Sequence, residues 1–377
     1  MHAQSESSAS RIYWLDVARV VAIISITLNH AVNRTYSGIY HEQYLDYAAS
    51  SHVSMLIEVV CLIFSHVGVP LFLMISGALL LKKKMETYED VLHFYRHNLL
   101  SLFITAEVWF FIMYWSITLT DGIVQSLPEM LLGCIKTMLF IDQVTMGSMW
   151  YMPMILCLYL LLPLLSLAMH KTSPRLFILP LSLVAICSFV IPNLNSLFHL
   201  LELDYSITPA LYSSNLLSLY FLFVFLGYWI SCGGLEKIST FLVSLFALLS
   251  FSATCAYQMF AFSCTYDYTI GYESIGILIY SVFTFELIRR GAHWVNTLEH
   301  PVTYLSQIAF GIYFVHIMIM QPIYARADFS TWHNVTHLAF LEAVSFLGSI
   351  IIIALLSKIP LLKRYMFMIK DGKPSLS

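Results

Sequence analysis

LDVARVVAIISITLNH, residues 15–30, opens the first long apolar run of the chain and carries Asp16, Arg19 and His30 within it. Ionisable side chains inside a membrane helix are costly and need a reason. Arg19 and His30 are eleven residues apart, which is about 16 Å of helical rise and close to three whole turns. Both side chains therefore share one face of the helix. Asp16 lies three residues before Arg19, where a carboxylate pairs with a cation on the same stripe and suits the positive end of the helix dipole. One helix thus holds a cation near one membrane boundary and an imidazole near the other.

Composition sets the class. Of 377 residues, 59% are hydrophobic and only 11% charged, with a mean hydropathy of +0.77, whereas soluble domains are about 25% charged. The expected fold is all-α, a polytopic integral membrane protein of about ten transmembrane helices. No basic stretch alternates with aromatic residues as a nucleic-acid surface would. Seven scattered cysteines without a CxxC pair read as small core residues, not as a metal site or disulfide framework. The first apolar run reads as a retained span, since no small-residue cleavage site follows it.

Spans need about 20 apolar residues. Ten windows qualify: 13–33, 55–81, 98–119, 149–169, 175–192, 212–232, 239–260, 268–288, 302–324 and 338–361. The segment 126–141 is shorter and amphipathic, as interfacial helices are. Placing both termini in the cytoplasm leaves only Arg34, Lys136 and Arg326 outside, against fifteen basic residues inside, as the positive-inside rule requires. Residues 1–12 and 362–377 are then short cytoplasmic tails of a single membrane domain spanning 1–377. No internal repeat relates the two halves, which weighs against a transporter.

Asp16-x-x-Arg19 followed by ten residues and His30 resembles the first helix of the membrane acyltransferase-3 family, the polytopic O-acyltransferases of bacterial envelopes. VPLFLMISGALL (69–80), SMWYMPMILCLYLLLPLL (148–165), FVFLGYWI (223–230) and YLSQIAFGIYFVHIMI (304–319) resemble later segments of that family, in order. The resemblance implies a stand-alone enzyme of the bacterial inner membrane, without a fused hydrolase-like domain. It would transfer an acyl group, most simply acetyl, from cytoplasmic acyl-CoA to a hydroxyl of an envelope or lipid-linked glycan. Acetyl-CoA or another acyl-CoA would be the donor substrate, and no cofactor would be bound permanently. Carried onto this chain, Arg19 with Asp16 and Arg96 would serve the donor phosphates. His30 would be the catalytic base or acyl acceptor, roles open to an imidazole near neutral pH.

Departures from the pattern mark where this chain stands apart. Around Arg96 it has His97, Asn98 and Ser101, where members often carry further arginines. Ser148 and Met149 precede Trp150, where many members have a histidine. The triple lysine 82–84 would either support Arg96 at the donor or, more simply, reflect topology. Trp150 and Tyr151 suit either an aromatic belt or stacking against a sugar acceptor. His316, within the Gly-Ile-Tyr-x-x-His segment, and Glu107, in mid-span, complete the candidates for substrate contact. Arg19 reads alternatively as a snorkelling side chain and His30 as an interfacial one. A transporter or flippase with Arg19 and Glu107 as gating charges is the rival from another class.

Overall fold

The computed structural model describes residues 12–36, 52–120, 126–141, 147–203, 205–207, 219–264 and 269–369. Among them every regular element is helical. The chain begins with α1 (Tyr13–Tyr36), α2 (His52–Ser65), α3 (Gly68–Leu80) and α4 (Tyr88–Phe94). A π-helical turn (Tyr95–Leu99) leads into α5 (Leu100–Thr120), and α6 (Leu127–Met138) follows. Next come α7 (Tyr151–Lys171), α8 (Ile178–Ala185) and α9 (Ile191–Leu200), the last two joined by a second π-helical turn (Ile186–Val190). The remaining helices are α10 (Leu219–Ser231), α11 (Thr240–Cys264), α12 (Ile275–Gly291), α13 (Glu299–Arg326), α14 (Asn334–Leu356) and α15 (Pro360–Tyr365).

Eight stretches are long and apolar enough to cross a membrane among the described residues, one of which, 275–326, holds both α12 and α13. The shorter apolar helix α10 covers the described part of the window expected at 212–232; residues 212–218 lie outside the described residues. The window expected at 55–81 is two helices, broken at His66–Val67. Pro70 is the cause: its ring lacks an N–H and clashes with the carbonyl four residues back, so it belongs in the first turn of a new helix. α6 exposes Leu127, Leu131, Leu132, Ile135 and Leu139, and its start is secured by reciprocal bonds between Ser126 and Glu129.

Association of helices in lipid depends on close packing and interhelical hydrogen bonds, because lipid is as apolar as leucine. α1 occupies the interior, contacting α2, α3, α13 and α14. Its buried face includes the small residues Ala18, Ala22 and Ser25. At Gly68 the broken α2–α3 unit comes so close to α1 that a methyl group there would stand 2.8 Å from the Ala22 carbonyl oxygen. α3 and α10 cross just as closely, with Gly77 against the Val224 carbonyl and Gly227 against that of Met74. The loops carrying most of the basic residues are tied to one another at one end of the bundle. Lys82 donates to the Ser231 carbonyl (2.9 Å), Lys171 pairs with Glu86 (2.9 Å), and Arg290 donates to the Leu235 carbonyl (2.7 Å). Ser166 donates to the Lys83 carbonyl in the same region. Glu286, fully buried, accepts from both Arg289 (2.8 Å) and Arg290 (2.5 Å), which closes this end of α12.

Candidate functional site

A cavity of about 710 Å³ lies between α1, α3, α5, α7, α13 and the segment after α14. This is a size typical of cofactor and substrate pockets. Its ionic lining among the described residues is cationic: Arg19, Lys363 and Arg364, with His97 beside them, and none of the described aspartates or glutamates contributes to the wall. Ser76, Asn98, Ser101, Ser306 and Gln307 add neutral polar groups. Tyr151, Tyr313 and Ile26 also line it.

Arg19 is held in place from two helices. Its guanidinium donates to Asp16 Oδ1 at 2.8 Å and lies 3.4 Å from Ser306 Oγ, and Ser306 in turn donates to Asp16 Oδ1 at 2.7 Å. The Asp16 side chain is 1% exposed, whereas that of Arg19 keeps 27% of its surface. A buried carboxylate with two donors orients the guanidinium, whose remaining surface faces the cavity. Sequence spacing finds the Asp16–Arg19 pair but not its third member, Ser306, which lies on α13 and is 290 residues from Asp16.

His30 stands on α1 one turn beyond Ile26, on the same helical face as Arg19. Its ring centroid is 5.2 Å from that of His316 on α13. His316 is fully buried, and its Nδ1 lies 2.8 Å from the Ile312 carbonyl. Since a carbonyl only accepts, Nδ1 carries the proton and Nε2 the lone pair in the neutral ring. That Nε2 is buried without a hydrogen-bond partner among the described residues. The two imidazoles therefore stand as a pair, one turn past the residues Ile26 and Tyr313 of the cavity wall. The His316 ring is 6.4 Å from that of Tyr313, which is 5.8 Å from that of Tyr151.

The other candidates divide. Tyr151 faces the cavity, while its neighbour Trp150 packs against Tyr220 (5.7 Å) and Tyr272 (5.9 Å) in an aromatic cluster that reaches His66. Arg96 is exposed and is not on the cavity wall; His97 and Asn98 are. Glu107 is also absent from the wall, and its Oε1 is buried without a hydrogen-bond partner among the described residues. The lysines 82–84 do not line the cavity, and Lys82 caps the end of α10 instead. Sequence reasoning missed Lys363 and Arg364, which belong to a segment read as a tail. The available signal was the large apolar Phe367 three residues beyond the basic pair. No group of histidine, cysteine or carboxylate side chains with metal-binding geometry occurs among the described residues.

The cavity wall carries cations, and a pair of imidazoles stands one helical turn beyond it. No curated protein and no solved structure matches the chain. The model of the family described as "Acyltransferase domain" matches residues 12–354, nearly the whole length. The chain belongs to the acyltransferase-3 family and is a multi-pass membrane acyltransferase.

Proposed function

We propose that the protein transfers an acyl group, most simply acetyl, from acyl-CoA to a hydroxyl of an envelope or lipid-linked glycan in the bacterial inner membrane. The basic end of the bundle faces the cytoplasm in this reading. The observation that carries it is the cavity lined by cations and, among the described residues, by no carboxylate, ending one helical turn short of the His30–His316 pair. The carrier's phosphates lie at Arg19 and its neighbours, where a guanidinium fork matches phosphate geometry. The thioester then reaches toward His30, about 16 Å along α1.

At the reacting end, His30 takes the proton of the acceptor hydroxyl as its oxygen attacks the thioester carbonyl. The carbon–sulfur bond breaks, the acyl group stays on the acceptor oxygen, and the leaving thiolate is reprotonated from the imidazolium. His316 supplies a second ring nitrogen with a lone pair beside this centre. Tyr151 presents a ring for stacking against a sugar.

The test uses purified protein in lipid nanodiscs and acetyl-CoA labelled in the acetyl group, following hydrolysis and transfer. His30→Ala is expected to reduce turnover by at least about 100-fold, the usual contribution of a general base. His66→Ala, at the break between α2 and α3 and bonded to the Leu62 carbonyl at 2.7 Å, is expected to retain turnover. Unchanged turnover in His30→Ala removes His30 from the mechanism.

A further inference from the structure

We propose that Arg34 stabilises the negative charge that develops on the thioester oxygen during acyl transfer, as the hydrogen-bond donor of an oxyanion site beside His30 and His316. This rests on the acyl-transfer reading above and adds a third group to the reacting end of α1, a residue that counts in the sequence only toward topology.

The need for such a donor follows from the fold. Addition of an oxygen to a thioester carbonyl pushes an electron pair onto the carbonyl oxygen, and enzymes meet that charge with donors fixed in advance, backbone N–H groups among them. Here His30 and His316 lie well inside the continuous helices α1 and α13, where each N–H already bonds the carbonyl four residues back. A side chain must donate instead. His316 does not fit, because its Nδ1 proton goes to the Ile312 carbonyl at 2.8 Å and its Nε2 offers a lone pair. Nor do the nearby amides, since Asn29 donates to Ser65 Oγ (2.9 Å) and Asn33 to Asn29 Oδ1 (3.1 Å).

Arg34 has the placement. It stands four residues past His30, one turn further along the same face and about 6 Å of rise away. Side chains on a helix lean toward its N-terminus, which directs Arg34 back toward the turn that carries His30. Its charge is felt at both the His30 and the His316 ring. Its Nε and Nη2 donate to Gln321 Oε1 at 3.2 and 2.5 Å, and Gln321 lies five residues past His316 on α13. The Arg34–Gln321 link therefore joins the same two helices as the His30–His316 contact, little more than one turn beyond it. This link fixes one edge of the planar guanidinium, and the other edge presents Nη1, which donates to none of the described residues. The task is donation of a hydrogen bond from a fixed position, which does not depend on the net charge around it. As the acceptor oxygen adds to the carbonyl carbon, the carbonyl electron pair moves to the thioester oxygen, and Arg34 Nη1–H donates to it. On collapse the pair re-forms the carbonyl, the carbon–sulfur bond breaks, and the thiolate takes the proton that His30 removed from the acceptor. Arg34 keeps its own protons throughout, as a guanidinium does.

The experiment follows hydrolysis of labelled acetyl-CoA by the full-length protein in phosphatidylcholine nanodiscs, where water adds to the same carbonyl and no glycan is needed. R34Q, whose amide can still bond Gln321, is expected to lose at least about 100-fold in kcat, the usual effect of removing one oxyanion donor. Its KM for acetyl-CoA should stay within about twofold, because the interaction is made only in the transition state. R34K, which keeps a charged donor without the fork, is expected to lose about tenfold in kcat. Q321A removes the same link between α1 and α13 yet leaves the guanidinium, and its kcat is expected to exceed that of R34Q by about tenfold or more. Wild-type kcat in R34Q, or a change in its KM alone, overturns the proposal; the second result assigns Arg34 to holding the carrier. A Q321A protein as slow as R34Q overturns it too, since Arg34 then acts only by fixing α1. Should R34Q fail to fold, wild-type kcat in R34K overturns the proposal. If wild type hydrolyses no acetyl-CoA, the acyl-carrier reading itself fails, an outcome distinct from R34Q matching an active wild type.

Discussion

The crossing of α3 and α10 gives a sharp test of how closely this bundle is packed. A methyl group added at Gly77 would overlap the carbonyl oxygen of Val224, and one added at Gly227 would overlap the backbone of Met74. The obstructing atoms belong to helix backbone, so no rotamer change can relieve them. With an ordinary contact near ~3.5 Å, the two helices must part by about 1 Å or more. A gap of roughly that size already forfeits a quarter to a half of the dispersion energy along the seam. Overpacking in cores costs about 1–3 kcal/mol, and Gly77→Ala is expected at the upper end, about 3 kcal/mol. That corresponds to a roughly hundredfold shift in the unfolding equilibrium. Unfolding of the purified protein in micelles, followed by tryptophan fluorescence, measures it. Gly291→Ala serves as the control, since there the added methyl group meets only Trp294 side-chain carbons at 3.4 and 3.5 Å. Because the two glycines relieve one crossing, G77A/G227A is expected to cost less than the sum of its single changes. A Gly77→Ala protein within about 0.5 kcal/mol of wild type would refute the close crossing.

Two further outcomes follow from charge. Glu286→Gln leaves Arg289 and Arg290 without their buried carboxylate; removing one partner of a buried pair costs about 3–5 kcal/mol. Because the two arginine side chains are 21% and 19% exposed, about 2 kcal/mol is expected after solvent screening, read from the same unfolding assay; a neutral substitution would show that the cluster adds nothing. Lys171 holds the exposed Glu86 carboxyl below the ordinary carboxylate range through its hydrogen bond and charge. A depressed folded value means that the stabilisation is present above the unfolded value and is lost as pH falls through the folded one. Lys171→Ala is expected to return the Glu86 titration, followed by carboxyl carbon NMR, toward the ordinary range; an unchanged titration would remove Lys171 as the cause.

What could be read from the sequence follows the range of the interactions involved. Runs of about 20 apolar residues report spans because only helices satisfy their backbone in lipid, and among the described residues the long apolar helices overlap the expected windows. The Asp16–Arg19 pair was legible because neighbours three apart on a helix meet. Ser306 on Asp16 was not, since that contact depends on how α13 lies against α1. The break at His66–Val67 was hidden inside an unbroken apolar run, although Gly68 and Pro70 were its markers. Arg96, which the resemblance implies for the donor, is not on the cavity wall. The π-helical turn Tyr95–Leu99 departs from the 3.6-residue period on which face arguments rest, and His97 and Asn98 occupy the wall instead. Residues 362–369 belong to the segment expected as a short cytoplasmic tail, which carries several charges. Its buried Phe367 shows that charge density alone does not separate a solvated end from an anchored one.

The line from Arg19 to His30 has meaning only if α1 cannot rotate. A slip of one residue would turn both side chains by about 100° and remove them from the cavity and from His316 together. Three polar links along α1 oppose such a slip. Asp16 and Arg19 join Ser306 at one end, Thr27 donates to Glu342 at 2.7 Å near the middle, and Arg34 donates to Gln321 at 2.5 Å near the other. Two of these go to α13 and one to α14, so a rotation that relieves one strains the others. In an apolar medium each broken link leaves a buried polar group unsatisfied, and that penalty, more than the modest net gain of forming a link, fixes the register. Small residues at Ala18 and Ala22 let the partners approach closely, but small residues alone permit sliding. The polar links supply the register that close packing lacks, and they hold Arg19 and His30 on one face at a fixed separation.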